Sequence, residues 1–427
     1  MVKQTIRVVR GMRDMYGREM LLYNLIVNVV RDISRSYGYS ELQTPIIEYA
    51  DVFHRTLGES SDIVNKETYT FDDRDGSVIT MRPEFTASVV RALITGDFRQ
   101  NHQYKFFSHG PLFRHERPQK GRYRQFHQFN CEFVGANGYH SDVEVILLAD
   151  RIISALNLQS EVSLEINTLG DKESMDRYKE ELRAYFNDHV DLLSNRSREL
   201  IALNPLRIFD SKKVGDASIA SNAPQVFDYF NEFSKEYYHN VLSSLDKYGI
   251  KYKENNRLVR GMDYYRHTVF EFKTRSLGAQ DGVISGGRYD GLVEQMGGDS
   301  VKAIGFAGGI ERVMELMMMH KVEEDEDIAE DGVIICVLPI AESDNDFALE
   351  IASQLRDMKE LVVFLDYCIS LKKGMRRANE RCADYVIVVG EQEARDEQLI
   401  VRNMESGEEQ KVAKDRLGDY FIRQDQE

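Results

Sequence analysis

The apolar residues of the first 171 positions are spaced in ways that predict a few long helices and several strands. Residues 19–37 and 141–156 carry apolar side chains at helical intervals, so both stretches predict amphipathic helices. The stretch 39–53 is extended in character, and Pro45 within it favours an edge or interface strand because proline cannot donate to a ladder. Aromatic and β-branched runs predict further strands at 78–83, 104–116 and 124–135.

The order of these elements favours the α+β class. Strands are bunched between long helices without strict β-α alternation, which is typical of an antiparallel sheet. Residues 172–248 are charged, amphipathic and helical in pattern, so we interpret them as a helical insertion. Strand patterns return in 258–274 and 282–293, and the stretch 303–318 predicts a strand, a glycine turn and a helix.

A strongly acidic run predicts a domain boundary. Residues 321–331, KVEEDEDIAED, have seven acidic side chains in eleven positions, which is typical of a solvated linker. Beyond it, short apolar runs alternate with helical stretches at 343–359 and 369–383, which predicts a small α/β domain with a largely parallel sheet. The chain is therefore divided into the segments 1–171, 172–248, 249–320, 321–331 and 332–427.

The composition suits a soluble protein with two or three cores. The chain has 427 residues, of which 42% are apolar and 30% charged, and this balance argues against disorder. We expect no membrane span and no secretion signal, because no apolar stretch is long enough for either. The four cysteines are scattered without a CxxC pair, so we expect a cytoplasmic protein without a disulfide framework or a tightly bound metal.

The net charge and the missing motifs narrow the function classes. A formal charge of −16 excludes a non-specific nucleic-acid coat protein, so a nucleic-acid partner would need local basic patches. The sequence contains no GxxxxGK[ST] phosphate loop, no GxGxxG fingerprint and no HExxH helix. If the chain binds a nucleotide, it does so through another architecture.

The densest chemistry lies in FRHERPQKGRYRQFHQ, residues 113–128. Pro118 and Gly121 mark a turn between two predicted strands, and the turn is basic. Such a hairpin can clamp phosphates, because guanidinium groups match phosphate oxygens bidentately. A solvated surface hairpin is the alternative, although the aromatic flanks predict burial and burying unpaired arginines is costly. The basic residues are Arg114, Arg117, Lys120, Arg122 and Arg124.

Three further segments carry residues or backbone groups that could contact a bound ligand. RGMDYY, residues 260–265, predicts one strand face with Arg260 and Tyr264 and another with Asp263 and Tyr265, although core tyrosines are the alternative. SGGRYDG, residues 285–291, could present backbone N–H groups or form a plain turn. GFAGGIERV places Arg312 in the first turn of a helix, where anions are favoured, although close packing mediated by the glycines is the alternative.

Two short segments could cage a small cationic amine or a ring N–H. MRPEFTAS places Glu84 and Thr86 on one face of an extended segment. FHQFNCE similarly aligns Gln128, Asn130 and Glu132. Ion pairing with surface arginines is the alternative for the two carboxylates.

The last cluster is a basic helix, SLKKGMRRANER, in an otherwise acidic chain. Lys372, Lys373, Arg376, Arg377 and Arg381 lie on this stretch. The simpler interpretation is a solvated helix face. The functional hypothesis is contact with a nucleic acid, because neutralisation of phosphates dominates the affinity of proteins for nucleic acids.

Taken in order, these clusters resemble the bacterial-type histidyl-tRNA synthetases, a family of class II aminoacyl-tRNA synthetases. YGYSELQTPIIE resembles the class II dimer motif, the basic hairpin the second motif and GFAGGIERV the third. LVRGMDYYRHTVFE, GGRYDGLVEQMGG and NPLRIFDSK resemble segments of this family. The resemblance extends from about residue 10 to about residue 420, and the co-occurrence of the motifs in one order carries it.

The resemblance implies an α+β class II catalytic domain with an antiparallel sheet, in two parts, 1–171 and 249–320. It implies a helical insertion at 172–248 and an α/β anticodon-binding domain at 332–427 after the linker. It implies a homodimer with an interface built partly by residues 37–53, and no membrane partner. The implied activity activates L-histidine with ATP, giving histidyl-adenylate and pyrophosphate. It then transfers histidine to the 3′ end of tRNA(His). Mg²⁺ is expected as the ATP counter-ion.

The resemblance also implies roles for individual residues. Arg114 and Arg260 are the implied catalytic residues. The implied ATP-binding residues are Arg114, Glu116, Arg122 and Arg312. The implied histidine-binding residues are Glu84, Thr86, Arg114, Gln128, Glu132, Arg260, Tyr264, Tyr265 and Tyr289. The implied tRNA-binding residues are Arg117, Gln119, Lys120, Lys372, Arg376 and Arg377.

The chain departs from the family pattern at two places. The family usually has glycine where this chain has Phe85. The family more often has a small polar residue and then arginine where this chain has Arg266 and His267.

Two alternatives come from other function classes. The regulatory subunit of ATP phosphoribosyltransferase shares the core and binds histidine as a signal, but such proteins typically lose part of the arginine set and the C-terminal domain. This chain keeps Arg114, Arg260 and Arg312 and continues through 332–427, so we favour the synthetase. A kinase-linked RNA-binding module lacks support, because no kinase signature is present.

Overall fold

The computed structural model divides the chain into two compact units, Met1–Ile328 and Ala329–Glu427. No helix in the described part of the chain is both long enough and apolar enough to cross a membrane. The predicted linker 321–331 lies outside that part. The residues that the structure describes are 6–57, 63–96, 98, 102–118, 121–211, 213–259, 262, 264–278, 281–320, 332–367 and 370–424.

The first unit combines a large sheet, a small sheet and ten helices within its described residues. The helices are α1 Arg18–Ser36, α2 Asp51–Leu57, α3 Thr86–Thr95, α4 Tyr139–Ala155, α5 Lys172–Asp188, α6 Asn195–Leu203, α7 Val214–Ser221, α8 Glu232–Lys247, α9 Leu292–Gln295 and α10 Ile310–Met319. The strands are β1 Ser40–Glu41, β2 Ile47–Tyr49, β3 Tyr69–Asp72, β4 Val78–Met81, β5 Tyr104–Phe113, β6 Gln125–Val134, β7 Val162–Thr168, β8 Tyr252–Glu254, β9 Arg266–Thr274, β10 Gly282–Arg288 and β11 Ala303–Gly309.

The large sheet has eight strands in the order β1-β5-β6-β11-β10-β9-β7-β8. In this spatial order, every neighbouring pair between β5 and β7 is antiparallel. The two outermost strands differ, because β1 pairs in parallel with β5 and β8 pairs in parallel with β7. A separate antiparallel sheet has the order β2-β4-β3. The predicted antiparallel α+β architecture is therefore confirmed.

Helices cover both faces of the large sheet. On one face α1, α4 and α10 bury Leu22, Ile26, Ile146 and Val313 against aromatic residues such as Phe129 of β6. A second apolar cluster joins α3, the insertion and strand residues of the other face. Burial of such side chains supplies most of the favourable free energy of folding. The candidate site lies on the second face.

The interpretation of 39–53 as one extended segment is wrong in part. The stretch contains two short strands, β1 and β2, and Asp51 begins helix α2. Pro45 lies between the two strands, and both are outermost in their sheets, as expected for a residue without a backbone donor. Gly38, at φ +80°, follows α1 and turns the chain toward β1 in a conformation that favours glycine.

The segment 172–248 is helical, with α5 to α8 and no strand among its described residues. Capping side chains fix where three of these helices begin. Asp171 accepts from the Ser174 N–H at 2.8 Å, Ser194 caps α6, and Asn231 accepts from the Ser234 N–H at 2.9 Å. Each cap satisfies a backbone donor that the helix leaves open.

The second unit has an α/β sandwich built on a five-stranded sheet. Its strands are β12 Val333–Pro339, β13 Leu361–Leu365, β14 Tyr385–Val389, β15 Gln398–Asn403 and β16 Glu409–Ala413. Its helices are α11 Asn345–Arg356, α12 Leu371–Glu380, α13 Glu391–Asp396 and α14 Leu417–Gln424.

The order of that sheet is β13-β12-β14-β15-β16, and it is mixed. The three apolar strands predicted from the sequence pair in parallel, whereas β15 and β16 add two antiparallel pairs. The expectation of a largely parallel sheet is therefore corrected. β15 and β16 escaped prediction because charged and amide side chains interrupt both strands.

Candidate active site

A cavity of about 300 Å³ opens between the start of α3, the β5–β6 hairpin, strands β9 to β11 and the first turn of α10. The hairpin is antiparallel from Tyr104↔Val134 to Phe113↔Gln125, so its arms end where the predicted basic turn begins. The cavity brings together most of the predicted site residues from distant parts of the chain. Those on its wall are Glu84, Thr86, Arg114, Glu116, Arg122, Gln128, Glu132, Tyr265, Tyr289 and Arg312.

Glu132 is the acceptor at one end of this cavity. Thr86 Oγ1 donates to its Oε1 at 2.5 Å, Asn130 Nδ2 donates to the same oxygen at 2.8 Å, and the Tyr289 hydroxyl donates to Oε2. Burial raises the pKa of the Glu132 carboxyl to about 7. A carboxyl held by three donors at this pKa can exchange a proton with a ligand near neutral pH.

Gly305 of β11 lies directly against that carboxyl. A Cβ atom at position 305 would overlap the Glu132 carboxylate and crowd the Cys131 carbonyl. Only glycine leaves room for Glu132 in this strand pair, where Gly305 is opposite Glu132. The pocket shape therefore depends on a missing side chain.

The expectation that Glu84 and Thr86 share a face of an extended segment is wrong. Thr86 begins α3, and Phe85 before it already has helical dihedral angles. Glu84 accepts from the Thr86 N–H at 2.6 Å and from the Ala87 N–H at 2.8 Å, so its carboxylate caps the helix. Burial raises the pKa of Glu84, and the two N–H groups oppose that shift.

Phe85, at one of the departures from the family pattern, lies beneath a buried guanidinium. The Arg82 Cζ atom is 4.4 Å from the centroid of the Phe85 ring. Arg82 also donates to Thr44 O at 2.7 Å and to Pro111 O at 3.1 Å. It thereby ties the segment after β1 and strand β5 to the start of α3. Burial lowers the pKa of Arg82 to about 10.

The predicted tyrosines form one wall, although not as a strand. Strand β9 begins only at Arg266, so the alternation expected for 260–265 is wrong for Tyr264 and Tyr265. Tyr265 and Tyr289 line the cavity, while Tyr264 lies behind them with ring centroids at 4.7 and 5.8 Å. Arg260, the second predicted catalytic residue, lies outside the described residues.

Three guanidinium groups face the other end of the cavity. Arg114 Nε donates to Pro83 O at 2.9 Å, and its guanidinium is 5.2 Å from the Phe126 ring. Arg122 pairs with Glu116. Arg312 NH1 donates to Gly282 O at 2.5 Å.

The electrostatics of these groups favour an anion. Burial lowers the pKa of Arg114, Arg122 and Arg312, and the charges of Arg114 and Arg122 lower that of Arg312 further. Like charges in a partly buried site repel each other until an anion relieves them. Within the described residues no group of three His, Cys, Asp or Glu side chains could hold a metal ion.

The predicted tRNA-binding residues lie on two separate surfaces. Arg117 is exposed on the turn of the β5–β6 hairpin, and Gln119 and Lys120 lie outside the described residues. Lys372, Arg376 and Arg377 are exposed on α12 of the second unit. Arg376 Nε is 3.3 Å from Glu380, and Arg377 NH2 is 2.6 Å from Asp366.

Several cavity residues escaped the sequence analysis. Glu311, next to Arg312, accepts from the His127 N–H, and Phe126 stacks on Arg114. Glu271 accepts from Ser285 Oγ at 3.0 Å on the β9–β10 side. Alternation with Gln128 along β6 could have found Phe126, since i and i+2 share a face.

The predicted glycine turn after β11 is also corrected, because the glycines lie inside the strand and α10 follows at once.

Comparison with known proteins identifies the family. The sequence model of histidyl-tRNA synthetase matches residues 11–313, and that of the anticodon binding domain matches residues 334–424. The chain is 44% identical to the histidine–tRNA ligase of Wolbachia pipientis subsp. Culex pipiens, across 96% of this chain and 98% of that protein.

Solved structures agree with this match. Apo S. aureus histidyl-tRNA synthetase is 32% identical and superposes with a TM-score of 0.80, covering 98% of this chain and all of that one. A Bacillus halodurans protein described as an ATP phosphoribosyltransferase regulatory subunit/histidyl-tRNA synthetase is 20% identical, with a TM-score of 0.63 over 91% of this chain and 99% of that one, and shares the fold. The chain belongs to the histidyl-tRNA synthetase family.

Proposed function

We propose that the protein is a histidine–tRNA ligase. It activates L-histidine with ATP, giving histidyl-adenylate and pyrophosphate, and transfers histidine to the 3′ end of tRNA(His). One observation carries this proposal: a single cavity has a buried carboxyl with hydroxyl and amide donors at one end and three arginines at the other. The Glu132 end suits an amino acid with an imidazole ring, and the arginine end suits a nucleoside triphosphate.

The first step requires positive charge around the α-phosphate. Attack of the histidine carboxylate brings two anions together, so fixed cations lower the barrier. We assign Arg114 to the α-phosphate and the carboxylate, and Arg312 to the triphosphate. Arg122 and Glu116 bind ATP beside them. Arg260 is assigned to the same chemistry from the family pattern.

Mg²⁺ enters with ATP as its counter-ion. Magnesium keeps several waters and binds substrate phosphates through one or two protein carboxylates, so it needs no cage of acidic residues. Glu116 and Glu271 line the cavity on the side of the arginines and are the carboxylates suited to it. When bound, the ion neutralises phosphate charge.

Recognition of histidine rests on Glu132 and its donors. The carboxylate accepts a ring N–H, and the Tyr265 hydroxyl pairs with the remaining ring nitrogen, while Tyr289 holds the Glu132 carboxylate and Tyr264 supports the tyrosine wall from behind. A site built for such hydrogen bonds rejects apolar isosteres strongly, because its buried polar groups would stay unpaired. Glu84, Thr86, Gln128 and Arg114 complete the proposed histidine site.

The tRNA contacts are assigned to two surfaces. Arg117, Gln119 and Lys120 are assigned to the acceptor end of the tRNA. Lys372, Arg376 and Arg377 on α12 bind the anticodon region through 332–427. The other proposed segments are the catalytic parts 1–171 and 249–320, the insertion 172–248 and the linker 321–331.

We also propose that the protein works as a cytoplasmic homodimer. The segment 37–53 supplies part of a two-fold interface, since Ile46, Ile47 and Tyr49 expose 40%, 47% and 63% of their surface. Apolar side chains from the same small sheet, Phe71 and Val78, are exposed as well. Contiguous exposed apolar surface is typical of a subunit interface.

The deciding experiment is histidine-dependent ATP–pyrophosphate exchange. We expect robust exchange by the parent and by Arg151→Ala, a matched control at an exposed position of α4. We expect exchange to collapse in Arg260→Ala and in Arg312→Ala, because each removes a charge that the transition state needs. Folded protein that binds histidine without exchange would instead indicate the regulatory-subunit function.

A further inference from the structure

The segment before α1 lies along the basic hairpin and makes contacts that the proposed reaction does not use. Gly11 O accepts the backbone N–H of Arg124 at 2.7 Å, so the segment adds a hydrogen bond beyond the end of the β5–β6 ladder. Gly11 has φ +84°, and a Cβ atom there would lie 2.9 Å from side-chain carbons of both Arg124 and Pro118. Glycine allows both the dihedral angle and the close approach.

Arg13 makes a second contact between this segment and the hairpin. Its guanidinium carbon is 4.6 Å from the centroid of the Tyr123 ring, where the ring quadrupole attracts a cation. Arg13 NH1 is also 2.6 Å from Glu19 Oε1 in the first turn of α1. An exposed ion pair alone contributes little, but these two side chains are only 29% and 35% exposed and the guanidinium is stacked as well. Arg13 therefore joins the hairpin to α1.

The two contacts fix the residues that follow Arg122, one of the proposed ATP-binding residues. Tyr123 comes directly after it and Arg124 comes next, while Gly121 precedes it at φ +69°. Arg124 Nε also donates to Glu116 O at 3.2 Å, which closes the base of the turn. The segment thus acts on the short stretch of backbone that carries the Arg122 guanidinium.

This stretch has little other packing, because it lies between two cavities. A second cavity of about 280 Å³ is lined by Arg13 and by methionines of α10. Gly121 and Tyr123 line both this cavity and the active-site cavity, so they form part of the wall between the two. Backbone with few buried contacts opens locally at low cost in free energy. Each remaining contact of the stretch therefore has a large share in its position.

Charge repulsion makes such contacts necessary in the absence of ATP. Burial lowers the pKa of the Arg122 guanidinium, and the charge of Arg114 lowers it further. The same repulsion favours movement of Arg122 away from the cavity. Glu19 balances the charge of Arg13, so Arg13 holds the hairpin without adding a net charge beside it.

We propose that Arg13 is a positioning residue that holds Arg122 in place for ATP. It acts through Tyr123, and the Gly11 carbonyl supports the same stretch through Arg124. The inference rests on the proposed function, because Arg122 is assigned there to ATP. A cation that is already in position need not be ordered when ATP binds, which favours the affinity for ATP. Loss of Arg13 should therefore weaken the binding of ATP and leave the binding of histidine unchanged.

The test compares substrate affinity with local opening of the hairpin in full-length protein. The variants are Arg13→Ala, Arg13→Lys and Gly11→Ala. The matched controls are Arg7→Ala, at an exposed position of the same segment, and Gly249→Ala, with φ +72° and no atom within 4 Å of the added Cβ. Histidine-dependent pyrophosphate exchange gives the KM for each substrate. Hydrogen exchange without substrates gives the opening of 121–124 and, for comparison, of 128–132.

We expect Arg13→Ala to raise the KM for ATP about fivefold, as the loss of one partly buried cation–π contact implies. Amide exchange of 121–124 should become faster by a similar factor, while that of 128–132 stays unchanged. Arg13→Lys should recover part of both effects, because it keeps a charge over the ring. Gly11→Ala should act in the same direction, because its Cβ displaces the Arg124 side chain. The KM for histidine and both controls should stay within about twofold of the parent.

Three results would overturn the inference. An unchanged KM for ATP in Arg13→Ala and Gly11→Ala would show that the segment does not position Arg122. A raised KM for ATP with unchanged amide exchange of 121–124 would assign Arg13 to ATP itself. Equal rises in both KM values, with faster amide exchange of 128–132, would indicate a role in folding. Absence of pyrophosphate exchange in the parent would instead refute the proposed function, so the two failures are distinguishable.

Discussion

The Glu311 carboxylate accepts the backbone N–H of His127 at 2.9 Å and lies 2.8 Å from the His127 ring Nδ1. The ladder between β6 and β11 ends one residue earlier, at Gln128 and Gly309. Beyond Gly309 the chain turns into α10, so the strand has no further carbonyl to offer. The Glu311 side chain replaces that carbonyl and fixes the first turn of α10, with Arg312, to the hairpin arm.

Replacing Glu311 should therefore weaken ATP binding. Glu311→Ala leaves the half-buried His127 N–H without its acceptor and frees the turn that carries Arg312. We expect the KM for ATP in pyrophosphate exchange to rise about tenfold, with the KM for histidine changed less than about threefold.

Glu311→Gln is the matched variant for this prediction. It keeps one carbonyl acceptor for the His127 N–H and loses only the charge. We expect its KM for ATP to lie between those of the parent and the alanine variant. A larger effect on the KM for histidine than for ATP would contradict the positioning role.

A methyl group at Gly305 should damage the histidine site selectively. In Gly305→Ala the new Cβ overlaps the Glu132 carboxylate, which must leave its three donors. We expect the KM for histidine to rise more than about tenfold, as the loss of one or two buried hydrogen bonds implies. Gly291→Ala is the control, because no atom lies within 4 Å of its added Cβ. Normal histidine affinity in Gly305→Ala would refute the assignment of Glu132.

The buried Glu132 should make stability depend on pH in the absence of histidine. Its pKa is about 7 in the folded protein and about 4.3 in an unfolded chain. Between these values the folded state holds a proton that the unfolded state has released. The contribution is therefore complete below about pH 4 and is lost as the pH rises through 7.

The variant Glu132→Gln tests this dependence, because it has no proton to release. We expect its free energy of unfolding, relative to the parent, to increase by about 3 kcal/mol from pH 4 to pH 8. Chemical denaturation of both proteins across that range measures the difference. A difference that does not change with pH would mean that folding does not shift the pKa of Glu132.

A fully buried ion pair should be costly to break from one side. Arg288 Nε donates to Asp142 Oδ1 at 2.9 Å, and both side chains are at most 1% exposed. Asp142→Ala leaves the guanidinium with Asp290, 2.9 Å from its NH1, as the remaining carboxylate partner, so we expect a loss of about 3 kcal/mol in the stability of the first unit. Replacing both residues, as in Asp142→Leu/Arg288→Met, should restore much of it. Equal losses in the single and double variants would contradict this account.

The sequence pattern predicts the scaffold well where one period dominates. The apolar spacing of 19–37 predicts α1 within one residue at each end, and the runs around Pro118 and Gly121 predict the β5–β6 hairpin. Residues 39–53 fail because three short elements with different periods share fifteen positions. Helix α2 begins at Asp51, so only its first three residues lie within 39–53 and the preceding strand pattern conceals its start.

The candidate site is predictable in its chemistry and less so in its geometry. Residue types alone suggest carboxylate acceptors for an amino acid and arginines for phosphates, and the structure brings most of these residues to one cavity. The capping role of Glu84 depends on where α3 begins, which the sequence pattern places in an extended segment. Gly305 gains meaning only from its partner across the ladder, a pairing that no local pattern contains.

The position of β6 in the large sheet has a consequence for local dynamics. Strand β6 is flanked by β5 and β11, so the backbone around Glu132 opens only when much of the sheet unfolds. Residues 114–118 and 121–124 lie beyond that ladder and exchange their amide hydrogens through smaller openings. In hydrogen-exchange terms, we expect slower amide exchange at the acceptor end of the cavity, around Glu132, than in the hairpin turn that carries Arg117 and Arg122.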